Sequence, residues 1–526
     1  MVETMTNNKS SVTEYQNPVI PGFHPDPSVC RVEDDYYLVC SSFEYFPGIP
    51  VFHSKDLIHW EQIGHCITRN NQLRLAKGIP NCVGIYAPTV RYMNGIFYVI
   101  TTNVSYGGSD EGNFFVWTKD PYGEWSDPVW VDLPGIDPSL FFDEDGKVYY
   151  IGTYKKIYLC EIDINTGKCI GVKRDIWGGT GGSDPEGPHL YKINGWYYLL
   201  ISEGGTELCH MITIARSRVI EGPYESCDRN PVLTNRSRSL PIKAVGHADL
   251  IQAHDGSWWA VCLGIRPVSY PFRHHLGRES FLCPVKWDES GWPIFGNDGT
   301  LDIQMQAECL PEYKIPGFKD RDDFDHEVLD YCWNFIYNPI KELWSLSDNK
   351  GYLTLYHNET SLDEADCLAW VGRRQEHIEC RARTMLSFHP INDGEEAGLT
   401  VYMNNRHHYE IALTLKEGKR CLIVRRRIGS LWKVENMIPY ECEQVVLELR
   451  ADKEFYYFGF SENGNSFTEA GKGEVQYLST EVGGRFTGNY IALYSSANGV
   501  KCDNPAKFDW FEYNSLQSAG YKSCVE

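Results

Sequence analysis

The sequence predicts an all-β chain, a five-bladed β-propeller followed by an antiparallel β-sandwich of the jelly-roll or lectin-like kind. Three observations predict it. A two-part motif recurs five times before about residue 300. From there to the end, apolar and polar residues alternate between Gly and Asn turns. Few long amphipathic helical patterns interrupt either region.

The first part of the motif is a short polar-Pro turn leading into a strand. It reads Asp26-Pro27-Ser28, Ala87-Pro88-Thr89, Asp137-Pro138-Ser139, Glu186-Gly187-Pro188 and, without proline, Gly246-His247-Ala248-Asp249. The second part is a tight acidic or Asn-Gly turn and an aromatic strand. It reads EDDYYLVC from Glu33, NGIFYVI from Asn94, EDGKVYYIG from Glu144, NGWYYLL from Asn194 and HDGSWWAVC from His254. Turn residues flanked by β-branched and aromatic residues signal hairpins. The units recur at roughly 50–60 residues, room for about four short strands, which is the size of a propeller blade. An ordinary sandwich with chance hairpins is the alternative. The constant order of the two parts weighs against it.

The expected organisation is a propeller over residues 1–310, a linker over 311–325 and a sandwich over 326–526. The linker is marked by the Pro-punctuated LPEYKIPGF and the charged KDRDDFD. Beyond it GYLTLY, AGLTVYMN, HYEIALTL, CLIVRRRI, VVLELRA, FYYFGFS, YIALYSS and FDWFEYN all read as strands of period two.

Composition narrows the function. A chain of 526 residues exceeds one core, so two domains are expected. The formal charge of −22 repels phosphate backbones and argues against a nucleic-acid partner. The basic run Arg425 to Arg427 sits in strand-like text and reads as one solvated face. Aromatics reach 13%, with 33 Tyr and 15 Trp, residues whose flat faces and polar tips suit sugars. No stretch approaches a membrane span, and the N-terminal MVETMTNNKSSVTEYQ has no apolar signal region. The 18 cysteines contain no CxxC pair and read as reduced, partly buried thiols. A cytoplasmic protein is the expectation.

In a propeller the first strand of each blade lines the central channel, so the repeated turn positions face one end of it. Three of the five are acidic, namely Asp26, Asp137 and Glu186. Converging carboxylates repel, and folds tolerate that mainly at metal or catalytic sites. Glycoside hydrolysis needs such a set, one acid protonated to donate to the leaving oxygen and one ionised. The plain alternative for Asp26 or Asp137 is a turn residue bonded to nearby backbone. Asp184, two residues before Glu186, is a competing acid.

The segments NPVIPGFHPDPSVCR, GIDPSLFFD, SDPEGPHLY and HHLGRESFL resemble the signatures of family 43 glycoside hydrolases, in particular the β-xylosidase branch. The likeness runs from about Asn17 to Tyr513 and implies a propeller followed by a sandwich. It implies Asp26 as general base, Glu186 as general acid, and Asp137 as the acid that orients Glu186 and modulates its proton. It implies inversion at the anomeric carbon, with base and acid ~6.5–9.5 Å apart.

The same likeness implies Arg278 as the binder of terminal-sugar hydroxyls, Phe43 as an aromatic wall and His247 as a channel-lining histidine. It implies that Phe486 reaches over the mouth from the sandwich, closing one side and making the enzyme exo-acting. Two departures stand out. Tyr86 occupies a position where the family often has Trp, and the sugar-binding motif reads GRES with Ser280.

The resemblance requires no cofactor. A divalent cation such as calcium in the channel is open, with His247 as its one candidate, and no metal ligand is assigned. The implied activity releases xylose from the non-reducing ends of short β-1,4-xylooligosaccharides. The alternatives are an α-L-arabinofuranosidase, an enzyme with both activities, or a non-catalytic carbohydrate-binding propeller. A homo-oligomer is a further implication.

Overall fold

The computed structural model describes residues 12–516 apart from 109, 309, 316, 318 and 500–503. Among the described residues, helix is confined to one four-residue turn, Thr480–Gly483, and two 3-10 turns. None is long and apolar enough to cross a membrane.

Five antiparallel sheets follow one another. The first holds Ser28–Val32, Asp35–Val39, Gly48–Ser54 and Glu61–Ile67. The second holds Thr89–Met93 with the short Gly84–Ile85, then Ile96–Val104, Gly112–Thr118 and Val129–Val131. The third opens with Ile136–Phe142, the fourth with Glu186–Ile193 and the fifth with Lys243–Gln252, each ahead of three more strands. The tight turns read from the sequence join the first and second strands. Asn94 and Asn194, for example, take φ of 52° and 50°, the left-handed conformation such turns need.

The opening strands touch in order, and the fifth returns to the first. A polar cluster ties four of them across this propeller-type ring. Asp249 accepts from Ser28 Oγ at 2.6 Å, Arg91 Nη1 at 2.8 Å and Tyr191 Oη at 2.5 Å. Arg91 Nη2 donates to His189 Nδ1 at 2.9 Å. The Arg91 charge holds the buried Asp249 carboxyl far down despite the opposing cost of burial.

The C-terminal part is a two-sheet sandwich. One sheet has six strands, in the order Ala369–Arg374, Tyr490–Ser496, Glu396–Asn404, His407–Lys416, Lys419–Ile428 and Leu431–Pro439. The facing sheet is built on Cys380–Ser387, Gln444–Ala451, Phe455–Ser461 and Ala506–Ser515, and Arg321–Asp322 pairs with its last strand. Strict alternation of buried and half-buried residues along Cys380–Ser387 shows why these segments pack as sheets. Leu399, Ile411, Leu447 and Phe458 meet between them.

A second apolar cluster joins the two parts. Phe23, Tyr45 and Phe46 pack against Trp370, Tyr402 and Tyr490, and the Tyr45 and Tyr490 rings stack at 4.0 Å. Tyr45–Phe46 also pairs as a strand with Phe335–Ile336.

Two expectations from the sequence need correction. Cys160 and Cys169 are joined as a disulfide, whereas thirteen other described cysteines are unpaired and eleven of those are buried. Hairpin return places the Cys160 and Cys169 Cα atoms 6.6 Å apart, which spacing in the sequence did not reveal. The Arg425 to Arg427 run does lie in a strand, Lys419–Ile428, but without the expected solvated face: Arg425 is buried in ion pairs with Glu396 and Glu410, and Arg426 and Arg427 are half-buried.

Candidate active site

The inner strands of three of the five sheets are interrupted at corresponding places. In the third, fourth and fifth sheets the pairing shifts between Ile136 and Ser139, Glu186 and His189, and Gly246 and Asp249. These are β-bulges, which turn side chains away from the strand's own alternation. Asp26, Asp137 and His247 take φ of 56°, 52° and 48°. Left-handed backbone at non-glycine residues is strained and is maintained where the surroundings demand it. The sequence repeat therefore marks a repeated backbone device that aims one residue per sheet into the channel mouth.

One pocket collects them. Asp26, Asp137, Glu186, Arg278, Phe43, Tyr86, His247 and Phe486, the catalytic and sugar-binding positions expected from the sequence, line it together. Asp184 is exposed and outside this lining, so Glu186 is the acid that faces the pocket.

Asp26 is buried at 4% exposure. Its Oδ2 accepts from Ser41 Oγ at 2.5 Å, and its Oδ1 from Arg278 Nη1 at 2.9 Å. Burial pushes this carboxyl up, but Arg278, His247 and Ser41 together outweigh it and hold Asp26 below its ordinary value. Asp26 is thus held toward its charged form.

Asp137 behaves oppositely. Burial first, then the charges of Glu186 and Asp26, hold its carboxyl well above the usual range, against a Gly187 N–H that donates to Oδ2 at 3.2 Å. Glu186 has the more exposed side chain, at 20%.

The walls are aromatic. Phe43 and Phe486 stack at 5.9 Å, and Tyr86 meets Phe43 at 5.1 Å and Phe486 at 6.1 Å. The Arg278 guanidinium lies 5.6 Å from the Phe43 ring and 5.5 Å from Phe486. Phe486 belongs to the sandwich, so the pocket is completed across the two parts. Its loop docks where Gly277 and Gly488 pass backbone to backbone. A Cβ on Gly277, whose φ is 82°, would stand 2.9 Å from Gly488 Cα. Glutamate Glu481 pins the same loop by accepting from His274 Nδ1 at 2.6 Å.

Two lining residues were missed by sequence reasoning. Thr206 accepts from Arg278 Nη1 at 3.2 Å, and His210 Nε2 stands 3.5 Å from Glu186 Oε1. Both lie in the unremarkable text GGTELCH, outside the repeat. The two glycines that open it were the one available hint.

A divalent cation does not fit the channel residues. Arg91 already places a fixed positive charge among Asp249, His189 and Tyr191. Among the described residues no group of three His, Cys, Asp or Glu side chains could hold a metal ion.

A propeller-type β-fold whose pocket gathers three carboxyl groups from three sheets and an arginine, between aromatic walls, is that of a glycoside hydrolase. Residues 15–293 match the Glycosyl hydrolases family 43, and residues 321–514 match the Beta xylosidase C-terminal Concanavalin A-like domain. The chain belongs to glycoside hydrolase family 43. It is 42% identical to the non-reducing end α-L-arabinofuranosidase of Bacteroides ovatus, across 97% of each chain. It is 40% identical to the xylosidase/arabinosidase of Butyrivibrio fibrisolvens, across 94% of this chain and 98% of that one. The crystal structure of xylan β-1,4-xylosidase from Bacillus halodurans superposes with a TM-score of 0.90 at 34% identity, covering 95% of this chain and all of that one.

Proposed function

We propose that the protein is an inverting, exo-acting glycosidase that releases xylose from the non-reducing ends of short β-1,4-xylooligosaccharides. The five sheets act as five blades over residues 1–310, joined by 311–325 to the sandwich of 326–526. One observation carries the reading. Three carboxylates from three sheets line one pocket, with Arg278 paired to Asp26 alone.

Asp26 takes a proton from water as that water attacks the anomeric carbon. Glu186 gives a proton to the leaving glycosidic oxygen. Asp137 orients Glu186 and, when ionised, keeps the donor site loaded by like-charge repulsion. Arg278, with its remaining N–H groups, and Phe43 hold the terminal sugar. Phe486 walls off one side, so chain ends enter and chain middles do not.

The acid limb of the activity profile should lie below the ordinary carboxylate range, because Asp26 is held down. Chelation should leave the rate unchanged, because Arg91 disfavours a channel cation. A cytoplasmic setting fits the eleven buried unpaired cysteines, while the Cys160–Cys169 pair weighs against it.

The second reading is an α-L-arabinofuranosidase, alone or combined with xylosidase activity. It is favoured by the 42% identity to the B. ovatus arabinofuranosidase. Tyr86 in the wall also gives this pocket a hydroxyl that a Trp would lack. Parallel assay on the two nitrophenyl glycosides separates the readings. Following the anomer of xylose released from xylobiose by NMR tests the mechanism; release of β-xylose first would overturn inversion.

A further inference from the structure

Glu186 lies beside the Asp137 carboxyl, which burial holds above its usual range, and hydrolysis requires a proton on Glu186. We propose that His210 decides this, as a positioning residue whose Nε2 lone pair holds the acid proton on Glu186. The proposal rests on the reading of Glu186 as proton donor.

His210 lies just before the strand Met211–Ser217 of the fourth sheet and is buried at 1% exposure. Its ring lies against the backbone of Gly246. A Cβ there would stand 2.0 Å from His210 Cε1, so only glycine admits the ring in this position. His210 Nδ1 is 3.2 Å from the Ala244 carbonyl oxygen, which can only accept. The ring hydrogen therefore sits on Nδ1, and in the neutral ring Nε2 presents a lone pair. Among the described residues that nitrogen has no hydrogen-bond partner, and it lies 3.5 Å from Glu186 Oε1.

A carboxylate facing a lone pair is repelled, whereas a carboxylic acid facing it can donate its O–H. Asp137 has the opposite neighbour, a Gly187 N–H that favours its charged form. The two contacts act in opposite senses, His210 favouring a proton on Glu186 and the Gly187 N–H drawing Asp137 down against the burial that raises it. The other groups around the imidazole do not reverse this. Asp26 is already neutralised by Arg278, and burial lowers the proton affinity of His247.

During hydrolysis Glu186 passes its proton to the leaving oxygen, and Asp26 takes one from the attacking water. The new Glu186 charge then faces the His210 lone pair. This favours uptake of a proton from solvent at Glu186 as Asp26 releases its own, so the net proton count is zero.

The test measures kcat/KM against pH for the wild type, His210→Phe, His210→Gln and Glu186→Gln. Each is assayed on a nitrophenyl and an unsubstituted phenyl glycoside of the pentose the enzyme cleaves. In His210→Phe the alkaline limb should move down by about one pH unit. The phenyl glycoside, which needs protonation, should slow about tenfold more than the activated one. His210→Gln should stay near wild type, because its amide can donate to Ala244 while its carbonyl accepts from Glu186.

An unmoved limb with equal slowing on both substrates would show a merely structural histidine and overturn the proposal. An upward shift would show an imidazolium and overturn it as well. Should His210→Phe not fold, His210→Met fills similar space with a poor acceptor and carries the same test. Glu186→Gln guards the underlying reading. If it slows both substrates alike, the donor assignment fails; if it spares the activated one, only the role of His210 is in question.

Discussion

Two buried arginine–carboxylate centres, one in each half of the molecule, look alike in a sequence and differ in kind. In the sandwich, Arg425 donates to Glu396 through Nη1 at 2.9 Å and Nη2 at 2.6 Å and pairs with Glu410 through Nε. Tyr494 donates to Glu396 at 3.1 Å, and His408 bridges Glu410 and Asp363. The arginine and both glutamates lie within strands and none has a positive φ, although the pairing with the next strand shifts at Arg425, and none of their buried polar atoms lacks a partner. At the channel mouth, Arg278 holds a single carboxylate, Asp26 and Asp137 have left-handed backbone, and His210 Nε2 has no hydrogen-bond partner. A saturated network on relaxed backbone serves stability. An incomplete one on strained backbone is arranged for something that arrives from outside.

The comparison breaks most sharply at Asp26. Asp26→Asn keeps an acceptor for Ser41 and Arg278 but cannot take a proton. Steady-state assay should find kcat/KM lower by about 10³–10⁴, as expected for losing a general base, with the melting temperature nearly unchanged. A large loss of stability with residual activity would place Asp26 in the same class as Arg425.

Arg425 should show the reverse. Arg425→Met leaves Glu396 and Glu410 buried without a counter-charge. Denaturant unfolding should show a loss of about 3–5 kcal/mol, the range for breaking a buried pair. Activity per folded molecule should be unchanged. A selective loss of activity would mean that the sandwich network reaches the pocket.

The contrast also explains what the sequence could and could not disclose. Asp26, Asp137 and Glu186 were legible because each sits in a turn motif that recurs at the entrance to an inner strand, with a bulge beside Asp137 and Glu186. Phe43, Tyr86, Arg278, His247 and Phe486 came through family likeness, and all reach the pocket. His210 was not legible, since its role depends on a glycine in another strand that admits its ring. The partners of Arg425 were equally hidden. Cross-strand register pairs Arg425 with Glu410, and no local pattern fixes which of many glutamates will stand opposite. Residues placed by chain closure leave little local signal.

Phe486 sharpens the comparison at the join between the halves. Phe486→Ala removes the stacked partner of Phe43 and one ring beside Arg278. An aromatic contact of this kind is worth about 0.5–1.5 kcal/mol beyond its area, so kcat/KM should fall by roughly tenfold, mainly through KM. If longer oligosaccharides gain relative to xylobiose, the sandwich sets chain-end selectivity. If all lengths fall alike, Phe486 is only a wall of the terminal-sugar subsite.

The smallest effect tests whether the strain at the mouth costs stability. The Asp137 carboxyl is held well above the usual range, so the folded site keeps a proton that the unfolded chain has released. For a carboxyl raised in this way, stability is fully present below the unfolded value and falls as pH rises toward the folded one. At neutral pH the native state bears that deficit. Asp137→Asn removes the titrating charge and still offers a side-chain oxygen to the Gly187 N–H. Its melting temperature at pH 7 should therefore exceed that of the wild type by about 1–3 °C, and the gain should vanish below about pH 4. A melting temperature lowered equally at both pH values would show that Asp137 acts as a structural hydrogen-bond acceptor, and the division between the two centres would then rest on Glu186 and Asp26 alone.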